Sequence, residues 1–347
     1  MSSARLPSLD GLRAVSIALV LVSHLVGTPR FPVDARALGA VGDIGYLGVR
    51  VFFVISGFLI TSLLLAEHAR TRTVSLRGFY VRRFWRIFPA FYAFVAVMAV
   101  AWAAGALRLS WSDLVAATTY TMNYHYDRSW ELGHIWSLSV EEQFYLLWPA
   151  LFLLAGPRRV VPVAVAMIAL APALRALAWF VAPARDDVIL EAYPCVMDAI
   201  AAGCLLAAVR PRLDRSATYL RFLRSPWFAL VPAIVIAANL PAWFALEYTT
   251  HITIMNLGVA LCVDRCVRFP DGWTGRALNA APLVWLGGLS YSLYLWQEPF
   301  LNPHGRMAIN TFPLNLALAV ACALASSYLI ERPILAWRAR RAAAGSA

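Results

Sequence analysis

The chain has 347 residues, of which 61% are hydrophobic and 14% are charged, and its formal net charge is +11. An ordinary soluble domain carries about 25% charged residues, so this composition excludes that class. The positive charge comes from arginines concentrated in short segments between apolar runs, a distribution that orients spans in a bilayer. We therefore predict a multi-pass membrane protein whose partner is the lipid bilayer and not nucleic acid.

Ten apolar runs are long enough to cross about 30 Å of hydrocarbon. They lie at 12–27, 46–66, 87–107, 135–155, 160–181, 190–209, 227–245, 249–264, 282–300 and 312–335. The segment 114–122 is short and rich in Thr and Tyr, so we interpret it as interfacial or re-entrant. With a cytoplasmic N-terminus, twenty arginines fall in inner segments and six in outer loops, as the positive-inside rule requires. The sequence predicts an all-α bundle of about ten transmembrane helices in the inner (cytoplasmic) membrane, with both termini cytoplasmic.

These spans are predicted to form one transmembrane domain, 1–337, followed by a short basic cytoplasmic tail, 338–347. The five cysteines lie in or beside apolar runs, so we interpret them as small packing residues. Neither a metal site nor a permanently bound cofactor is predicted.

The first run carries ionisable residues where lipid penalises them. Arg13 and His24 are eleven residues apart, which returns a helix to within about 20° of its starting direction. They share one face, about 16 Å apart along the axis, and Asp10 lies one turn before Arg13. An ionisable stripe on a membrane helix predicts a functional site.

The second run contains Gly48, Ser56 and Gly57, small residues that favour close helix packing. Arg50 lies near its outer end. There it either extends its guanidinium to the interface or pairs with an acid, and the sequence does not choose between these.

A cluster of arginines follows in the next inner loop. Arg82, Arg83 and Arg86 stand at helical spacing and are interleaved with Phe84 and Trp85. Guanidinium groups bind phosphate with two hydrogen bonds, so a nucleotide-bearing donor such as coenzyme A fits this cluster.

Two adjacent carboxylates, Glu141 and Glu142, lie within the fourth run. They are about 9–10 Å below its predicted outer end, and His24 is about 5 Å below the outer end of the first run. At comparable depth, either carboxylate is predicted to pair with His24.

The last two runs supply weaker candidates. Tyr291 rises toward the outer interface of the ninth run, and Glu331 lies beside Arg332 at the inner boundary of the tenth. We interpret these as structural or acceptor-side residues, together with Asp10 and Arg50.

The motifs resemble, in order, those of the acyltransferase-3 family of integral membrane O-acyltransferases. The matching segments are Leu9-Asp-Gly-Leu-Arg13 with His24, Phe52-Phe-Val-Ile-Ser-Gly-Phe58, Arg83-Phe-Trp-Arg86, Trp136-Ser-Leu-Ser-Val-Glu-Glu-Gln-Phe-Tyr145, Ser290-Tyr-Ser-Leu-Tyr294 and Glu331-Arg-Pro333. Many relatives carry Asp at the position of Arg50, so no family role is transferred to it.

The resemblance implies transfer of an acyl group, acetyl in the first instance, from cytoplasmic acyl-CoA to a hydroxyl of a glycan, a lipid-linked sugar or a glycosylated small molecule. It implies that acyl-CoA is a co-substrate bound near Arg13, Arg82, Arg83 and Arg86. His24 would act as general base or carry the acyl group transiently, with Glu141 or Glu142 setting its tautomer. A membrane transporter or flippase of a sugar-containing substrate is the alternative, because it would also bury Arg, His and Glu.

Overall fold

The computed structural model describes residue 6 and residues 8–33, 43–181, 186–240 and 247–344, and these ranges are helical with no strand. The all-α prediction is therefore confirmed. The α-helices are α1 (Leu9–Leu25), α2 (Ile44–Thr71), α3 (Leu76–Ala103), α4 (Trp111–Thr118), α5 (Trp130–Gly133), α6 (Ile135–Ala155), α7 (Val160–Val181), α8 (Asp186–Glu191), α9 (Tyr193–Leu213), α10 (Ala217–Arg224), α11 (Leu230–Asn239), α12 (Ile252–Arg268), α13 (Trp273–Leu278), α14 (Ala281–Trp296), α15 (Leu314–Ser326) and α16 (Arg332–Ala344).

Within the described ranges, five helical stretches are long and apolar enough to cross a membrane, and a pair of helices bent by 69° would make a sixth. The five are Ile44–Thr71, Leu76–Ala103, Pro157–Val181, Ile189–Leu213 and Leu314–Arg341. Each of the ten predicted runs overlaps a helix. However, α1, α12 and α14 have only 17, 17 and 16 residues, below the ~20 that a spanning helix needs. The count of ten spans therefore stays a prediction.

The chain divides into two compact units. The first unit consists of Met1–Ser23, Asp34–Val74 and Leu147–Gly288, and the second of His24–Val33, Ser75–Leu146 and Leu289–Ala347.

In the first unit, α2 packs against α9 through glycines. A methyl group at Gly57 would overlap the carbonyl oxygen of Ile200, and one at Gly203 would overlap that of Val54. Small residues allow such backbone contact between membrane helices. The packing interpretation of Gly57 is thereby confirmed.

In the second unit, Asp113 of α4 anchors the segment that precedes α5. Its carboxylate is buried and accepts hydrogen bonds from Ser110 and from the backbone and hydroxyl of Ser129, while Nε2 of His125 lies 2.9 Å away. Burial alone would raise the pKa of Asp113, but the hydrogen bonds from Ser129 and Ser110 outweigh it and lower that pKa. Because α5 follows Ser129 directly, this anchor positions the entry to α6.

We expect Gly203→Ala to destabilise the protein by about 1–3 kcal/mol, because the added methyl forces α9 away from α2. Gly288→Ala is the matched control, since a methyl group there meets no atom within 4 Å. Thermal unfolding in detergent measures both variants. Equal melting temperatures for the two would contradict the close packing.

Candidate active site

His24 lies near the end of α1, in the second unit, and contacts the segment that follows α14. Its Nδ1 is 2.5 Å from Oε1 of Gln297. An amide oxygen only accepts hydrogen bonds, so Nδ1–H of His24 donates to it. In the neutral ring, Nε2 then keeps its lone pair and is the nitrogen able to take a proton.

Glu298 lies between two histidines. Its Oε1 is 3.8 Å from Nε2 of His24, and its Oε2 is 2.8 Å from Nδ1 of His134. The same Oε2 accepts a hydrogen bond from the backbone N–H of His134 at 2.8 Å. We call His24, His134, Gln297 and Glu298 the histidine site.

The ring of His134 faces oxygen acceptors on both sides. Nε2 lies 3.1 Å from the carbonyl oxygen of Leu295, and Nδ1 lies against Glu298. A neutral imidazole has one N–H and can donate to only one acceptor. In its neutral form His134 therefore leaves one of these two acceptors without an N–H donor from its ring.

Aromatic rings enclose the histidine site. Trp130 of α5 meets His24 edge-on at 5.7 Å, and Phe94 of α3 meets His134 at 5.7 Å. Tyr294 donates a hydrogen bond to the backbone carbonyl of His134 at 3.1 Å. His134 is 2% exposed and Glu298 is 5% exposed, whereas the His24 side chain is 23% exposed. An approaching substrate can therefore reach His24 but not His134 and Glu298, which we call the inner pair.

Two of the four predicted arginines belong to a second group of polar residues, which we call the arginine cluster: Arg83, Arg86, Glu142, Tyr291 and Glu331. The guanidinium of Arg83 lies 5.0 Å from the centre of the Tyr145 ring and attracts the carboxylate of Glu142. Both stacking and charge pairing hold this arginine in place.

Arg86 and Glu331 form the other half of the arginine cluster. Glu331 accepts a hydrogen bond from Ser292 and lies within electrostatic reach of Arg86 and Arg332. Tyr291 donates to the carbonyl oxygen of Ile87 at 3.0 Å and lies near both carboxylates. These contacts place Tyr291 and Glu331 with the arginines.

The structure does not give Glu141 or Glu142 the predicted place beside His24; Gln297 and Glu298 occupy it. The reason is the starting point of α6. His134 precedes that helix at the level of His24, and Glu141 follows seven residues later, about 10 Å further along the axis. The depth comparison from sequence used the ends of the apolar runs, which do not lie at one level.

Arg13 lies on the same unbroken helix as His24. Its guanidinium pairs with Asp10, one turn earlier on the same helix, at 3.4 Å. Arg82 is exposed, and its backbone carbonyl accepts a hydrogen bond from Arg338 at 3.4 Å.

Arg50 is 2% exposed, so it does not extend to the interface. It lies within electrostatic reach of Asp198 and Arg175 in the first unit. The structure therefore keeps this guanidinium inside the first unit, and its pairing with an acid stays a prediction.

Sequence reasoning missed Gln297 and Glu298 as partners of His24. They lie 273 and 274 residues after it, so spacing could not join them. The available signal was an amide and a carboxylate near the outer end of the aromatic-rich run 282–300, at the predicted level of His24.

Comparison with known proteins fits this arrangement. O-acetyltransferase OatA of Staphylococcus aureus is 29% identical over 360 residues, which cover 95% of this chain and 57% of that protein. Peptidoglycan O-acetyltransferase OatA of Listeria monocytogenes is 27% identical over 359 residues, 94% of this chain and 55% of that protein. The chain thus spans just over half the length of these curated relatives. No solved structure matches it.

The acyltransferase-3 family profile, described as an acyltransferase domain, matches residues 6–332. This match covers nearly the whole chain and confirms the resemblance seen in its motifs. The chain therefore belongs to the acyltransferase-3 family.

Proposed function

We propose that the protein transfers an acetyl group from acetyl-CoA to a hydroxyl group of a glycan, with peptidoglycan as the acceptor that the names of its relatives favour. The observation that carries the proposal is the orientation of His24. Gln297 fixes Nδ1, which leaves Nε2 at a partly exposed position for a substrate hydroxyl.

The reaction then needs a single base. The acceptor hydroxyl gives its proton to Nε2 of His24 while its oxygen attacks the thioester carbonyl carbon. The carbon–sulfur bond breaks, and the coenzyme A thiolate leaves and takes the proton back from His24. General-base assistance of this kind contributes about 10²- to 10⁴-fold in rate.

The arginine cluster is the proposed donor site. Along α6, Glu142 of the cluster lies about 12 Å from His134, and an extended pantetheine arm reaches about 16 Å, so phosphates held by Arg83 and Arg86 leave the thioester within reach of His24. Acetyl-CoA enters as a co-substrate, and no resident cofactor takes part. Glu142 and Glu331 hold the two guanidinium groups in position before the donor arrives.

The proposed setting is the cytoplasmic membrane, crossed about ten times, with both termini and the residues near 73 and 216 inside. The arginine distribution supports this topology. The donor would then approach from the cytoplasm and the glycan from outside.

His24→Gln tests the reaction. The amide keeps hydrogen bonding but cannot take a proton, so transfer from labelled acetyl-CoA to purified muropeptides should fall about 10²- to 10⁴-fold. His68→Gln, a histidine on α2, is the control and should retain parental transfer. Mass spectrometry of the products measures the transfer. If the His24 variant transfers acetyl groups at the parental rate, His24 is not the base.

Arg83→Gln and Arg86→Gln test the donor site. Each lost charge-assisted hydrogen bond is worth about 1.5–3 kcal/mol, so coenzyme A should bind roughly ten- to a hundredfold more weakly. Arg221→Gln, on the amphipathic helix α10, is a matched control of equal charge. Calorimetry measures the affinity of each variant for coenzyme A. If the Arg83 and Arg86 variants bind it as tightly as the Arg221 variant, the donor does not use the arginine cluster.

Single cysteines in a cysteine-free background test the topology. An impermeant thiol reagent applied to intact cells should label positions 33 and 187 but not positions 73 and 216. Labelling at position 216 would refute the ten-span arrangement.

A further inference from the structure

We propose that Glu298 and His134 form a buried proton-holding pair that sets how readily His24 accepts the proton of the acceptor hydroxyl and how readily it releases it. This inference rests on the proposed role of His24 as base. It assigns Glu298 and His134 as positioning residues for a reaction in which only His24 touches the acceptor.

The carboxylate of Glu298 is shared between two imidazoles. Oε2 of Glu298 is occupied twice by His134, through Nδ1 and through the backbone N–H, each at 2.8 Å. Oε1 faces Nε2 of His24 across 3.8 Å, which is too long for a direct hydrogen bond. Oε2 of the carboxylate is thus hydrogen-bonded to His134, while Oε1 still lies close enough to Nε2 of His24 to attract a proton placed there.

The proposed pair holds one proton more than a neutral imidazole beside a carboxylate, and that proton resides on His134. Both ring nitrogens of His134 face acceptors, and the side chain is almost completely buried. A doubly protonated His134 beside an ionised Glu298 satisfies both acceptors with N–H donors. A buried charge is stable in low dielectric only when it is paired and hydrogen-bonded, and each member here supplies that for the other.

Other charged and titratable groups also lie around the site. Arg128 lies beside Glu298 across Gly133, and its guanidinium donates to the backbone carbonyls of Met122 and His125. Glu131 accepts a hydrogen bond from Asn302 at 3.2 Å.

Two further groups face the site from neighbouring elements. The hydroxyl of Tyr294 bonds to the backbone of His134, and His304 meets Trp130 edge-on at 5.6 Å.

The proton of the acceptor hydroxyl passes through His24 during the reaction. Before transfer, His24 is neutral and the inner pair has no net charge. When Nε2 of His24 takes the hydroxyl proton, Glu298 faces imidazolium rings on both sides and can fully compensate only one of them. His24 therefore holds its proton less tightly than it would beside a free carboxylate, and returns it to the coenzyme A thiolate as the carbon–sulfur bond breaks. The inner pair gains and loses no proton over the cycle.

The test is the pH dependence of acetyl transfer in two variants. Glu298→Gln removes the anion, so protonated His24 is less stable and the acid limb of the rate profile should move to lower pH by about one unit. His134→Gln removes the competing cation and leaves Glu298 to His24 alone, so the limb should move to higher pH by a similar amount. Opposite shifts are the signature of shared charge, because a purely structural loss lowers the rate without moving the limb.

Tyr294→Phe is the control variant. It removes the hydrogen bond to the backbone carbonyl of His134 but changes no charge, so it should leave the limb in place whatever its effect on the rate. Shifts of both test variants in one direction, or no shift in either, would overturn the proposal.

A second measurement tests the charged pair directly. It requires neither acetyl transfer nor a folded His134→Gln variant. Histidine-selective ¹⁵N labelling of the purified protein without substrates should show one doubly protonated imidazole near neutral pH, lost in Glu298→Gln. If every histidine of the parental protein is neutral there, the pair is refuted. If the charged histidine is present but no acetyl transfer occurs, the pair stands and the proposed function fails.

Discussion

The arrangement of the histidine site depends on one constraint: a carboxylate taken out of water must be paired and hydrogen-bonded. Glu298 meets this requirement through His134, which supplies a ring N–H and a backbone N–H to one oxygen. That pairing fixes the other oxygen toward His24. The end of α1, the start of α6 and the segment after α14 are thereby held together by polar contacts, and the direction of the His24 ring follows from them.

The arginine cluster obeys the same constraint at a different level of the second unit. Arg83 is stacked on Tyr145 and attracted by Glu142, and Arg86 is attracted by Glu331. The residue just before α6 and the residues just after α14 belong to the histidine site, whereas residues within these helices belong to the arginine cluster. Six to eight residues separate the two groups along the chain, which corresponds to about 9–12 Å. Two rigid helices thus set the spacing between the proposed donor site and the proposed base.

Local sequence patterns predicted the features that depend on local spacing. Composition indicated membrane helices, eleven-residue spacing placed Arg13 and His24 on one helix, and one-turn spacing placed Asp10 beside Arg13, with which it pairs in the structure. The partner of His24 depends on how helices distant in sequence are aligned along their axes. That alignment comes from close contacts such as glycine packing and from where α6 begins, and neither is encoded in the length of an apolar run. The pairing with Glu141 or Glu142 was therefore out of reach of a depth estimate.

A comparison of the buried Arg175 with the partly exposed His24 shows why the histidine site is the better candidate for function. In the first unit, Arg175 is completely buried and donates to the carbonyls of Tyr248 and Cys195, to Asp198 and to Thr253. Every nitrogen of that guanidinium has an acceptor within 3.1 Å, so the group stabilises a fold and offers nothing to a ligand. In His24, Nδ1 is held and Nε2 is kept 3.8 Å from the nearest carboxylate oxygen. A base must keep a lone pair that the protein does not satisfy, and of these two groups only the histidine keeps one.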